Sequence, residues 1–344
     1  RKTGEKLYDA GVEITYDLAS ELEANEDVSS VVVRSPLTCN VPHGVCTKCY
    51  GYDNTTRKPV EVGEAIGIAA AQALGEPTTQ LTLKSKSDAR AGKADVTQGL
   101  PRVEELLEAR TPKGMAILSE VSGKVSIREE RKKIIIRVTA EETEVKEYTI
   151  EDTDEVVVKD EDKVKSKHTL VVKADKTEVR SPLTGTVKYD KKANKLYVEA
   201  AKAREEEYKV NSMSDLLVED GDMVERGQKL TEGSSDPKQL AELIDVETAA
   251  HYIIDNVQSV YAIQGLDVDD RHLEIVARQM SRYGLISDQG DSDKFLPGDY
   301  GDIIELKKEN YLLQQKGKKE IKYVSVILGV TNAAIRTESF LSAA

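Results

Sequence analysis

Three cysteines, Cys39, Cys46 and Cys49, fall within eleven residues of a 344-residue chain that has no others. The Cys-x6-Cys-x2-Cys spacing suits a metal ion. A Cys-x2-Cys pair bends back on itself, so both thiolates can face one ion. Gly44 and Gly51 supply the turns this needs. An odd, clustered set without a secretory signal pattern argues against a disulfide framework and points to a reducing compartment. Clustered turn cysteines rarely pack as plain core, so metal binding is the expectation. Zn²⁺ takes four ligands in a structural site, and this segment offers three thiolates. His43 is the local candidate for the fourth position, although a loop histidine is more often an exposed bystander.

A second element with chemical potential follows. An apolar, Ala-rich helical run over residues 64–74 leads into Gly75-Glu76-Pro77-Thr78-Thr79-Gln80-Leu81-Thr82. A polar loop over 84–93 comes next, then a helical pattern over 99–110. Pro77 is expected to break or kink the first helix near its end. Pro101 sits near the first turn of the second, where its missing N–H costs little. Lys84, Lys86, Arg90 and Lys93 against Asp88 make the loop basic in an acidic chain.

The flanking elements must position both features. Net charge is −13 with 32% charged residues, which argues against a dedicated nucleic-acid-coating module. The longest mostly apolar run, residues 65–74, is far too short to span a bilayer. The chain starts at Arg1 rather than Met, which predicts a fragment or a processed piece. Trp is absent and Phe occurs twice, so the cores rest on Ile, Leu, Val, Ala and Tyr.

Residues 5–24 read as helix and 31–33 as a short strand. Residues 115–233 read as short strands, with Val, Ile and Thr alternating with charges. A repeat lies there: 157–170 matches 217–230, each a strand, an acidic turn and a strand. The second copy carries Gly221 and Gly227 at its turns. The repeat predicts two hairpins that pair pseudo-symmetrically in one β-rich unit of barrel-sandwich-hybrid type, each with an acidic turn. Val33-Arg34-Ser35-Pro36-Leu37-Thr38 is echoed by Val179-Arg180-Ser181-Pro182-Leu183-Thr184, with Gly185 in place of Cys39. Residues 237–283 return to helix. One stripe is Ala249, Ile253, Ile254, Val257 and Tyr261, and another is Leu273, Val276, Ala277 and Met280. Residues 284–301 read as a Gly/Asp-rich solvated loop, 303–306 and 323–328 as strands, and 332 onward as a short helix.

The helix–loop–helix with Gly-Glu-Pro-x-Thr-Gln-Leu-Thr and Gln98-Gly99-Leu100-Pro101-Arg102-Val103 resembles the trigger loop of the largest catalytic (beta-prime) subunit of bacterial multisubunit RNA polymerase. The cysteine spacing resembles the second zinc site of that family, whose fourth Cys lies upstream. Tyr261-x-x-Gln264-Gly265 and Asp270-Arg271-His272-Leu273-Glu274-Ile275-Val276-x-Arg278-Gln279-Met280 resemble its jaw. Gly329-Val330-Thr331 and Thr337-Glu338-Ser339-Phe340-Leu341-Ser342-Ala343-Ala344 resemble the segment leading to its C-terminal clamp. The resemblance covers essentially the whole chain and is weakest over 115–233.

The resemblance implies a nucleotidyltransferase active only in the assembled complex, with beta, alpha, omega and sigma subunits, DNA template, nascent RNA and nucleoside triphosphates as partners. It implies a cytoplasmic, nucleoid-associated location, structural Zn²⁺ at Cys39, Cys46 and Cys49, and Mg²⁺ held by residues outside this chain. The family's Asn-Ala-Asp-Phe-Asp-Gly-Asp loop does not occur here, so the chain alone is expected to be inactive. Gln80 would contact the sugar of the incoming nucleotide. Leu83 replaces a Met that packs on the base, and Lys84 replaces an Arg near the phosphates. Ser87 stands where the family has a His, which puts His-dependent protonation in doubt. Arg90 and Lys93 fit a solvated tip. The expected architecture is α+β and multidomain: a helical lead with a zinc-binding segment (1–62), the trigger helix–loop–helix (63–112), a β-rich barrel-sandwich-like jaw region (113–235) and a helical jaw continuation with short strands (236–344). The rival reading is a non-enzymatic, zinc-stabilised scaffold with a lipoyl-like barrel. Neither hairpin turn carries a carrier lysine motif.

Overall fold

The computed structural model describes residues 8–25, 27–84, 99–130, 133–149, 155–158, 162–164, 168–172, 178–181, 185–190, 195–210 and 212–337. Helix α1 spans Tyr16–Ala24, α2 Thr47–Tyr50, α3 Ile66–Lys84 and α4 Leu100–Leu107. The expected helix over 5–24 is shorter than its periodicity. Gly11 takes φ +90°, and Thr15 caps α1 by accepting from Leu18 N at 3.4 Å. Residues 31–33 are not a strand. No partner among the described residues bridges them, and Val32 is 93% exposed.

Helix α3 continues through Pro77 to Lys84, so the proline does not end it. An interior proline removes a hydrogen bond and costs about 3 kcal/mol. Burial offsets that here. Ala70, Leu74 and Pro77, spaced by four and three, are buried on one stripe, and α3 packs on the later helices.

The β-rich part holds β1 (Gly123–Glu130), β2 (Lys133–Thr149), β3 (Glu155–Val156), β4 (Lys163–Val164), β5 (Thr169–Val172), β6 (Glu178–Arg180), β7 (Gly185–Asp190), β8 (Lys195–Val210) and β9 (Met223–Val224). Six of them form one sheet in the order β4-β7-β8-β2-β1-β9, and β3-β5-β6 form another. The long strands β2 and β8 pair antiparallel from Ile134↔Val210 to Thr149↔Lys195. Ile134, Ile136, Val138 and Ala140 alternate into the core, as the period of a strand requires.

The acidic-turn repeat appears as matched hydrogen bonds. Val157 N donates to Leu170 O, and Leu217 N to Leu230 O, each at 3.0 Å. Val187 N donates to Asp162 O at 2.9 Å, and Val125 N to Asp222 O at 2.8 Å. Ser181 N donates to His168 O at 2.8 Å, and Ser119 N to Gln228 O at 2.9 Å. Among the described residues the two copies do not pair with each other, contrary to expectation. They close opposite edges of one sheet, β4 on β7 and β9 on β1. Each sits over its own core: Val164, Leu170, Val187 and Leu196 at one end, Val125, Ile136, Val224 and Leu230 at the other.

The chain continues with α5 (Pro237–Leu243), α6 (Val246–Ile263), α7 (Asp270–Met280), β10 (Tyr283–Asp288), β11 (Tyr300–Asp302), α8 (Ile303–Gln315), β12 (Lys322–Ser325) and α9 (Val330–Ile335). All five residues of the first expected stripe are buried in α6. They share a core with Leu74 of α3, Val103 and Leu106 of α4, and Leu273, Ala277 and Met280 of α7. Two expectations change here. Residues 303–306 open a helix rather than a strand, because Asp302 caps it by accepting from Ile304 N at 2.8 Å. Residues 283–288, partly read as loop, form the central strand of the sheet β11-β10-β12. In the rest of that loop, Asp288 pairs with Lys319 at 2.9 Å and Asp291 accepts from Lys319 N at 2.8 Å. No described helix is long and apolar enough to cross a membrane.

The two cores of the β-rich part make a prediction. A Cβ at Gly123 would lie 2.2 Å from Thr139 O, so Gly123→Ala forces β1 off β2. Amide exchange should rise around Val125 and Ile136 while Leu170 and Leu196 stay protected. An equal rise at both ends would show one cooperative unit instead of two.

Candidate metal centre

The cysteines are brought together by local turns. Cys39 N donates to Pro36 O at 3.4 Å. Cys46 is the N-cap of α2, and Cys49 lies within that helix, its N–H donating to Cys46 O at 3.0 Å. Gly44 and Gly51 take φ of +72° and +88°, as the turn reading requires. The three Sγ atoms all lie within 4.8 Å of one another and could hold a metal ion. Three thiolates on a tetrahedral Zn²⁺, with Zn–S near 2.3 Å, would stand about 3.8 Å apart, which this cluster accommodates.

The two flanking thiols are shifted in opposite directions. Burial raises the Cys39 thiol, but backbone N–H groups of Cys46 and Val41 outweigh it and lower its pKa to about 7. The Cys46 N–H lies 3.4 Å from Cys39 Sγ. Burial, and then the neighbouring Cys46 thiol, push Cys49 up to about 11, although Arg34 Nη1 at 3.9 Å pulls the other way. A bound divalent ion would draw all three into the thiolate form. None of the three is in a disulfide. Among the described residues no other group of three metal-ligating side chains converges. His43 is not part of the cluster. It lines a cavity of about 440 Å³ with Arg282, Tyr283 and Tyr300.

The second expected site is only partly described. Positions 80, 83 and 84 fall on the last turns of α3. Ser87, with Lys86, Asp88, Arg90 and Lys93, lies outside the described residues. The base of α3 is anchored by Leu74, whose carbonyl accepts from Tyr261 Oη at 3.4 Å.

Two groups escaped the sequence reading. Arg102 in α4 is buried, pairing with Glu105 at 2.8 Å and donating to Tyr252 Oη at 3.1 Å. Glu105 accepts from Lys113 N at 3.2 Å, and Tyr252 Oη from Ser235 N at 3.0 Å. The only sequence signal was an Arg and a Glu three apart beside Val103 and Leu106. The other group is Arg271 and Arg278 of α7, which reach the cysteine segment from far along the chain.

The chain matches the family model RNA polymerase Rpb1, domain 5, over residues 19–337. It belongs to this family. It is 39% identical over 356 residues to the DNA-directed RNA polymerase subunit beta' of Herpetosiphon aurantiacus, covering 99% of this chain and 23% of the relative. It is 39% identical to the beta' subunit of Caldicellulosiruptor saccharolyticus and 38% identical to that of Geobacillus kaustophilus, in each case over all of this chain and 24% of the relative. The chain thus spans about a quarter of the length of these Rpb1 domain 5 relatives. The match takes in the cysteine cluster, α3, α4 and the β-rich part together.

Two outcomes are expected. Metal analysis of the purified chain should find about one zinc per chain, lost in Cys46→Ser. No zinc in either protein would refute the metal assignment. Arg102→Ala should destabilise the helical core by roughly 3–5 kcal/mol, because it leaves Glu105 buried and unpaired. A urea midpoint within error of the parent would contradict that.

Proposed function

We propose that this chain supplies the mobile trigger element of a DNA-dependent RNA polymerase. The observation that carries the reading is the similarity to beta' subunits along the whole chain, taken with Gly75-Glu76-Pro77 and Gln80 on one continuous helix. The proposed reaction is DNA-templated RNA synthesis: the RNA 3′ hydroxyl attacks the α-phosphate of a nucleoside triphosphate, and pyrophosphate leaves. Mg²⁺, held by ligands outside this chain, would supply charge neutralisation at the reacting oxygens when bound in the assembled enzyme. Beta, alpha, omega and sigma subunits, template DNA and nascent RNA are the proposed partners.

The residues of this chain act by position and charge. When the loop between α3 and α4 closes, Gln80 orients the sugar and Leu83 packs on the base. Lys84 brings a positive charge to the phosphates, as a point charge rather than an Arg fork. Ser87 offers only a neutral hydrogen bond, so the group that protonates pyrophosphate lies elsewhere or is water. Closure of this kind gates chemistry and substrate choice. The three cysteines would hold Zn²⁺ as a structural centre. The burial of Leu74 of α3 and of Val103 and Leu106 of α4 in the helical core supports a reading in which these two helices are the fixed supports of the element.

The test is single-nucleotide addition at saturating substrate by a polymerase carrying this segment. Lys84→Ala should slow addition by about tenfold or more, a loss of about 1.4 kcal/mol. Ser87→Ala should change it by less than about fivefold, since a neutral hydrogen bond is worth about 1 kcal/mol. Ser87→His should speed it. A silent Lys84→Ala beside a crippled Ser87→Ala would overturn these roles.

A further inference from the structure

The segment that carries the cysteines has little regular structure of its own. Between residues 36 and 54 it contains the four-residue α2 and one bridge, Tyr52↔Pro59. Its backbone carbonyls are instead gripped by α7. Arg278 donates from Nη2 to Val41 O at 2.7 Å, and from Nη1 to Gly44 O at 2.7 Å and Pro36 O at 3.4 Å. One of these carbonyls precedes Cys39, and the other two lie between Cys39 and Cys46. Arg271 takes the far side of the cluster. It donates to Tyr52 O and, at 2.9 Å, to Asn54 Oδ1, and its guanidinium lies 5.3 Å from the Tyr50 ring centre. Asp269 holds Arg271 in place, accepting from its Nε at 2.8 Å.

The two arginines are seven residues apart, two turns of helix, so they project from one face of α7. The opposite face is fixed in the core through Leu273, Ala277 and Met280. The cysteine loop is therefore held from both ends of one rigid helix. A guanidinium can grip two carbonyls at once in a fixed plane, which a lysine ammonium cannot.

We propose that Arg271 and Arg278 are positioning residues for the metal centre, holding the loop so that its three thiolates converge. Metal occupancy and docking of α7 are then coupled, and the coupling is reciprocal. Metal favours a seated α7, and a seated α7 favours metal. The inference rests on the zinc assignment of the three cysteines. Helix α7 also packs on α3, so a tight metal loop and a fixed trigger base share one support.

The experiment uses the full chain loaded with zinc. Zinc release to a chromogenic chelator is timed for the parent, Arg278→Ala, Arg278→Lys and the exposed control Arg180→Ala. Arg278→Ala should release zinc about tenfold faster or more, the usual cost of losing a group that orients a metal site. Arg278→Lys should fail to restore the parent rate, and the control should match the parent. A second arm needs no variant. Removing zinc from the parent should raise amide exchange over residues 270–280 and leave 246–263 unchanged. A chain that takes up no zinc overturns the metal assignment and the clamp with it. Uptake with equal release from all variants, or full rescue by lysine, overturns the clamp alone. If Arg278→Ala does not fold, the lysine variant and the exchange arm decide.

Discussion

A single buried guanidinium organises the middle of this molecule. Arg102 is 5% exposed, and a charge so placed is tolerable only when its donors are matched. Glu105 and Tyr252 provide that match, and each passes it on. Glu105 receives the N–H of Lys113, where the chain enters the β-rich part, and Tyr252 receives that of Ser235, where the chain leaves it. Entry and exit lie side by side, with Ala116 N donating to Ser234 O at 2.9 Å. The β-rich part is thus a long excursion pinched at its neck, and the neck is tied to α4 and α6. Such an ion pair adds little net stability over an apolar substitute, but its partners leave few alternative arrangements once it forms.

The helical core plays the same organising part for the cysteine loop. Helix α6 contributes six buried residues and touches α4, α5 and α7. Helix α7 then faces two ways, apolar toward α6 and cationic toward the cysteines. The metal centre and the base of α3 are built on neighbouring sides of one scaffold, although the sequence separates the cysteines from α7 by more than 200 residues.

Local features were the legible ones. The Cys-x2-Cys turn closes within four residues, so its spacing is its geometry. The α6 stripe and the alternation of Ile134, Ile136 and Val138 repeat one environment often enough to be read directly. What stayed hidden depends on partners distant in sequence. Pro77 signals a break until Leu74 and its neighbours are seen to be buried. Val31, Val32 and Val33 have strand-forming side chains but no strand beside them. Ile303 and Ile304 look like strand residues, yet the Asp302 carboxylate starts a helix at that point. Arg102, Arg271 and Arg278 stand in the sequence only as members of motifs, because nothing local reveals Tyr252 or the loop carbonyls. Residues 85–98, which include Ser87, remain a reading of sequence and family alone.

The pairing of β2 with β8 also bears on how the chain comes into being. Its partners are separated by 46 residues at one end and 76 at the other. Contacts that distant close slowly, because the intervening loop must first lose its freedom. On a ribosome, the β1–β2 hairpin can form early, but one edge of β2 then waits unpaired until residue 210 has emerged. That edge is apolar on one face and open to any other strand it meets, which is the usual opening for misassembly during synthesis. The charges of β8, among them Glu205 and Glu207, are the natural partners for Arg137 on that edge. They give the correct strand an electrostatic advantage at the moment of choice.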